Sequence, residues 1–310
     1  MSQSTSTFWI GIFAGLLTGI LSACAFLCST IALKRTPGLT APGLMVNAGL
    51  LMGAFSLVGL GISWNPALMH GFWGRLPSLL GASVFWALGQ TFVFAAQRNV
   101  ESSRVVPLLG LKLPMLALFS LVMLGERFNL WQLVGIILVA SATFLLNNAG
   151  KRIPLSNFIL VTCGCISYCF SDLSLTALVL KINLEVMESP LMASLHCALL
   201  CYATAGVFAL LFLPFTRRHV SRLALKNTIP FSVLWLSCIV TLDFTFARLG
   251  TVLGVILQNT RAIFAILFTP VFLWCGCTAL EAKLTTALFF RRLLAAVMVV
   301  LAIFLYNCGH

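Results

Sequence analysis

The stretch FWIGIFAGLLTGILSACAFLCSTIAL, Phe8 to Leu33, contains no charged residue. A helix needs about 20 apolar residues to cross the hydrocarbon core of a bilayer, and this run exceeds that length. It is too long for the core of a signal peptide and lacks a clear cleavage site, so it reads as a retained first membrane helix. Comparable runs recur to the end of the chain, at approximately 8–33, 41–63, 77–97, 104–124, 129–147, 155–180, 190–214, 229–247, 250–276 and 285–307. Turn and charge signals separate them, as in Lys34-Arg35-Thr36-Pro37-Gly38, Trp64-Asn65-Pro66 and Thr216-Arg217-Arg218-His219. No intervening loop is long enough to hold a soluble domain.

Composition agrees with that reading. Of 310 residues, 60% are hydrophobic and 8% charged, with a mean hydropathy of +1.06. A water-facing surface requires roughly 25% charged residues. The net charge of +12 does not indicate nucleic acid, because Lys and Arg lie in short clusters between apolar runs rather than along one face. Odd-numbered loops carry Lys34, Arg35, Arg98, Arg104, Lys151, Arg152, Arg217, Arg218, Arg222, Lys226 and Lys283. Even-numbered loops carry Arg75, Arg127, Lys181 and Arg248. The positive-inside rule then puts the odd loops in the cytoplasm and both termini outside. The expected location is a bacterial inner (plasma) membrane.

The chain repeats itself weakly. Ser83-Val84-Phe85-Trp86 is echoed by Ser232-Val233-Leu234-Trp235, and Ala96-Gln97-Arg98 by Phe246-Ala247-Arg248. At the first of these offsets Lys112 corresponds to Arg261. Five helices per half is an odd number, so the second half enters the membrane from the opposite side. The expected fold is an all-α integral membrane protein of ten transmembrane helices, arranged as two inverted five-helix repeats, 1–150 and 151–310. Two small-residue ladders, Gly11-Gly15-Gly19 and Gly49-Gly53, predict close helix packing or a cavity-lining helix.

Three motifs carry a family resemblance: Ala96-x-Arg98-x-x-x-Ser102-x-x-Val105-x-x-Leu108, then Leu124-Gly125-Glu126, then Gln132-x-x-Gly135-x-x-Leu138. Together they resemble the EamA-type half of the drug/metabolite transporter superfamily. The resemblance implies a central cavity between two four-helix groups, with the fifth and tenth helices peripheral. It implies substrates such as amino acids, sugars, nucleotide conjugates, amines or drugs. The second half departs from the pattern: Gly276 or Cys277 stands where the glutamate belongs, Glu281 comes late, and Arg291 and Arg292 fall near the glycine position.

Ionisable groups inside a bilayer cost about 2.5–3.5 kcal/mol each near its centre, so each one present needs a reason. Lys112 lies in the fourth segment and Arg261 in the ninth, preceded by Gln258 and Asn259. Asp172 and Tyr168 lie in the sixth, Asp243 in the eighth, His196 in the seventh and Gln90 in the third. Two cations at matched positions would converge near the midplane and attract a carboxylate or phosphate. Asp172 and Asp243 would bind an ammonium, or else neutralise the cations as internal ion pairs. Trp86 and Trp235 would stack on a ring or cation, or serve as packing aromatics. Pro107 and Pro114 flank Lys112 and predict a kink that frees backbone carbonyls. Glu101 and Arg104 form a loop-edge pair.

The candidate substrate-binding set is therefore Lys112, Arg261, Asp172, Asp243, Gln90, Tyr168, Gln258, Asn259, Trp86 and Trp235. The leading function is a secondary transporter of a zwitterionic or anionic metabolite, such as an amino acid or a conjugate like S-adenosylmethionine. Proton coupling would run through Asp172, Asp243 or His196. An exporter of drugs, amines or phosphorylated metabolites, a channel and a lipid flippase are the alternatives. No GxxxxGK[ST] or HExxH motif is present, which argues against ATP hydrolysis by that route and against zinc proteolysis. No cofactor is expected. The partners expected are a small solute, membrane lipids, and a coupling proton or counter-substrate, with the chain a monomer or homodimer. The 11 cysteines include three i,i+4 pairs, Cys24/Cys28, Cys165/Cys169 and Cys197/Cys201. These read as small apolar interface residues rather than soft-metal ligands.

Overall fold

The computed structural model describes residues 5–100, 105–106, 108–125, 127–147, 154–274 and 286–308. All regular structure among them is helical. Helix α1 spans Thr5–Arg35, α2 Ala41–Ser63 and α3 Phe72–Asn99. A 3-10 turn, Leu109–Leu111, leads into α4, Lys112–Phe119, which ends in a π-helical turn at Ser120–Leu124. Helix α5 spans Leu130–Asn147, α6 Leu155–Val186, α7 Pro190–Thr216 and α8 Arg222–Leu249. The next span is split into α9, Thr251–Gln258, and α10, Arg261–Trp274, and α11 covers Thr286–Cys308.

Among the described residues, six helices are long and apolar enough to cross a membrane: α1, α2, α3, α6, α7 and α8. Four shorter apolar helices fall within the fourth, fifth, ninth and tenth apolar runs. Several helices overrun the apolar runs that mark them. At about 1.5 Å per residue, the 31 residues of α1 exceed the ~30 Å core. Helix α8 starts at Arg222 rather than near residue 229, because Ser221 caps it by accepting from the Ala224 amide. Its basic first turn reaches out of the apolar layer, as long cationic side chains can.

The fourth and ninth runs are the ones that fail to form continuous helices. Pro114 has no amide hydrogen to give to a carbonyl one turn back, and the backbone tightens to 3-10 just before it. In the ninth, the chain turns at Asn259-Thr260, where the Thr260 hydroxyl donates to the Leu257 carbonyl at 2.7 Å.

The main helix contacts are α3 with α6, α1 with α8, α2 with α7, and α5 with α11. Exchanging the first five runs for the second five maps this set onto itself. The loops show the direction of each half. Asn227, at the start of α8, donates to the Thr36 hydroxyl at 2.9 Å, which joins the α1–α2 and α7–α8 loops on one face. Asn65 donates to Glu188 at 2.7 Å, and Arg75 pairs with Glu185 at 3.2 Å, which joins the α2–α3 and α6–α7 loops on the other. Helix α1 thus ends on the first face and α6 on the second, so the two run in opposite senses.

Small residues set the closest approaches. A Cβ at Gly53 would stand 2.6 Å from the Gly206 Cα of α7, and one at Gly19 would stand 2.1 Å from the Thr260 hydroxyl. The glycine ladders therefore pack helix on helix. One of them packs on the break in the ninth run. A small apolar cluster of Ala142, Ala295 and Val299 joins α5 to α11 apart from the main core.

Candidate functional site

Lys112 is the first residue of α4, and Arg261 is the first residue of α10. Both follow a break in their span, and both are 2% exposed. A helix N-terminus carries partial positive charge from unpaired amides, so each cation stands where the backbone already favours an anion.

The two cations are compensated differently. Lys112 Nζ lies 2.5 Å from the Asp172 carboxylate on α6. It also donates to Gln258 Oε1 at 3.0 Å and stands 5.7 Å from the centre of the Tyr168 ring. Tyr168 in turn donates to Gln90 Oε1 at 2.5 Å. Lys112, Asp172, Gln258, Tyr168 and Gln90 thus form one connected cluster drawn from α3, α4, α6 and α9.

Arg261 makes no ion pair among the described residues. Its Nη2 makes a long contact, 3.5 Å, to Asn259 Oδ1, and its guanidinium lies 5.7 Å from the Phe26 ring centre. Its Nε has no hydrogen-bond partner among the described residues. Asp243 is fully buried, faces the Cys197 thiol of α7, and meets no cation among the described residues. Of the two internal ion pairs that would neutralise the core, one forms (Lys112 with Asp172). Arg261 and Asp243 stay apart.

The two tryptophans meet across the halves, with ring centres 6.4 Å apart. They do so as packing partners. Trp86 packs edge-on against Tyr202, and Trp235 donates to the Tyr202 hydroxyl at 2.6 Å. Phe26 joins this group against Trp235 at 5.3 Å and so connects the aromatic cluster to Arg261. Tyr202 and Phe26 were missed from sequence. The available signal was the phenol of Tyr202 in mid-span, which needs a hydrogen-bond partner when buried. Beside Trp86 and Tyr202 there is a cavity of about 10 Å³. A water needs roughly 10–15 Å³, so the helices are packed shut here.

The kink read from the prolines has a counterpart on α6. Cys169 Sγ lies 3.4 Å from the Lys112 carbonyl, and Cys165 Sγ 3.9 Å from that of Leu108. Two thiols one turn apart thus serve as weak donors to the irregular backbone of the fourth run. Among the described residues no cluster of three or more metal-ligating side chains occurs.

His196 is fully buried near the start of α7 and makes no hydrogen bond to the cluster. Its Nδ1 meets Glu188 at 2.7 Å and its Nε2 meets the Ser63 carbonyl at 2.8 Å. Both ring nitrogens therefore have a polar partner, and the histidine ties the start of α7 to the end of α2. Glu101, Arg104, Pro107, Glu126 and the divergent stretch from Gly276 to Glu281 lie outside the described residues.

Residues 9–148 match the EamA-like transporter family. A solved crystal structure matches over 99% of this chain and 99% of its own, with a TM-score of 0.65 and 17% identity. At that identity the likeness shows the fold alone. No curated protein matches the chain.

Proposed function

This chain belongs to the drug/metabolite transporter superfamily, and from that premise we propose that it is a secondary transporter which binds a carboxylate- or phosphate-bearing metabolite at Arg261. The chain is an integral multi-pass membrane protein of a family that moves small molecules. The observation that carries the reading is a fully buried guanidinium at the start of a helix, in mid-span, with no anionic partner among the described residues. A buried charge without a partner is costly, and a bound anion would relieve that cost. Broken helices whose N-termini face an anion are a recurring device of such sites.

The Lys112–Asp172 pair gives the same site a switchable second half. A zwitterion brings both charges with it, so its carboxylate can engage Arg261 while its ammonium competes for Asp172. This favours an amino acid or an amino-acid conjugate such as S-adenosylmethionine. Asp243, buried without a cation, is the carboxyl best suited to carry a coupling proton. Arg261 is buried, so helices must part before a solute reaches it. Two oppositely directed halves of residues 1–150 and 151–310, rocking about that centre, supply the motion. We assign the protein to a bacterial inner membrane, with the basic face in the cytoplasm.

Counterflow in proteoliposomes tests this. Vesicles preloaded with an unlabelled amino acid or S-adenosylmethionine should take up external labelled solute faster than empty ones. The Arg261→Gln variant should lose that acceleration. Flux that does not depend on internal solute, for every carboxylated or phosphorylated solute tried, would mean a channel and would overturn the reading.

A further inference from the structure

A groove of about 450 Å³ opens between α2, α3 and α7, and neither Arg261 nor any residue of the Lys112 cluster lines it. A small-molecule site holds roughly 300–1,000 Å³. Pro42, Met45 and Val46 form one wall, Val84 and Leu88 another, and Ala205 to Thr216 the third. Apart from two threonines the lining is apolar, so a hydrophilic solute gains nothing there.

The groove lies in one leaflet. It begins at mid-span, near Val84 and Ala205, and ends at Pro42 and Thr216, where α2 starts and α7 stops. At that end the chain turns through Arg217-Arg218-His219. His219 is fastened to the opposite wall, because its carbonyl accepts from Asn47 Nδ2 at 3.1 Å. Arg217 and Arg218 are both exposed. Lys34, Arg35, Arg222 and Lys226 stand on the same face, and among the described residues that face carries no carboxylate. The described acids are Asp172 and Asp243 in the core, and Glu185 and Glu188 on the opposite face.

An apolar slot about one leaflet deep, with two exposed arginines directly following its last lining residue, Thr216, matches one kind of ligand. We propose that the α2–α3–α7 groove is a binding site for an anionic phospholipid, with an acyl chain in the groove and the phosphate on Arg217 and Arg218. Guanidinium recognises phosphate oxygens bidentately. Anionic lipids are enriched in the cytoplasmic leaflet, which is the leaflet the basic face would occupy. The assignment is independent of the solute reading at Arg261.

Native mass spectrometry of the detergent-purified full chain, titrated with phosphatidylglycerol or phosphatidylcholine, tests it. Phosphatidylglycerol should bind preferentially, and R217Q/R218Q should lose roughly tenfold or more of that preference. R222Q/K226Q removes two charges from the same face on α8, which does not line the groove, and should leave the preference intact. Val84→Trp fills the groove from a lipid-exposed position and should weaken the binding of both lipids. The proposal is overturned by equal losses in the two arginine–lysine variants, which would mean diffuse surface attraction. It is also overturned if Val84→Trp binds as the wild type does, or if a chain dimer forms that excludes lipid.

Discussion

Lys112 and Asp172 neutralise each other in the core, so removing one strands the other. Lys112→Ala should destabilise the protein by about 3–5 kcal/mol, the cost of an uncompensated buried charge. Lys112→Ala combined with Asp172→Asn should recover much of that loss, because neither partner of the pair is then left as an uncompensated charge. Thermal denaturation of the purified variants measures both. Equal stability of the single and double variants would show that the pair is not coupled. Arg261 should behave in the opposite way. Arg261→Gln removes a buried charge that makes no ion pair among the described residues, so the variant should fold and be at least as stable as the parent. The polar residues themselves were legible in the sequence, since an ionisable group inside an apolar run is conspicuous. Their pairing was not. Which acid meets Lys112 depends on the rotation of α6 about its axis, and that is set by packing across many residues.

At the scale of elements, the breaks in the fourth and ninth runs matter most. Each puts a cation at the start of a half-helix, and the two cations correspond in the repeat. Pro114 announces the first break. The second, at Asn259-Thr260, has no proline; there the Thr260 hydroxyl bonds the Leu257 carbonyl and the turn packs on Gly19 of α1. That is why Arg261 could be placed in the membrane from sequence, but not at a helix start. Close packing also predicts where bulk is intolerable. Gly53→Leu would drive a side chain into the Gly206 backbone, which has no flexible end to yield. Overpacking of this kind costs about 1–3 kcal/mol. A lowered midpoint of thermal unfolding should appear for Gly53→Leu and not for Gly61→Leu, because a Cβ at Gly61 meets nothing within 4 Å.

For the whole molecule, the four main helix pairs map onto themselves when the two halves are exchanged, and α1 and α6 run in opposite senses. An odd count of apolar runs per half predicts such an inversion. The sequence repeat alone, a few residues around Trp86 and Trp235, is too faint to establish it. What unites the account is Arg261, a buried cation that makes no ion pair among the described residues. The most direct measurement is thermal stabilisation of the purified protein by a library of metabolites, read in parallel on the wild type and on Arg261→Gln. A carboxylate- or phosphate-bearing metabolite should raise the unfolding temperature of the wild type, and the effect should vanish in Arg261→Gln although that variant is folded. A metabolite that stabilises both proteins equally would contradict the account.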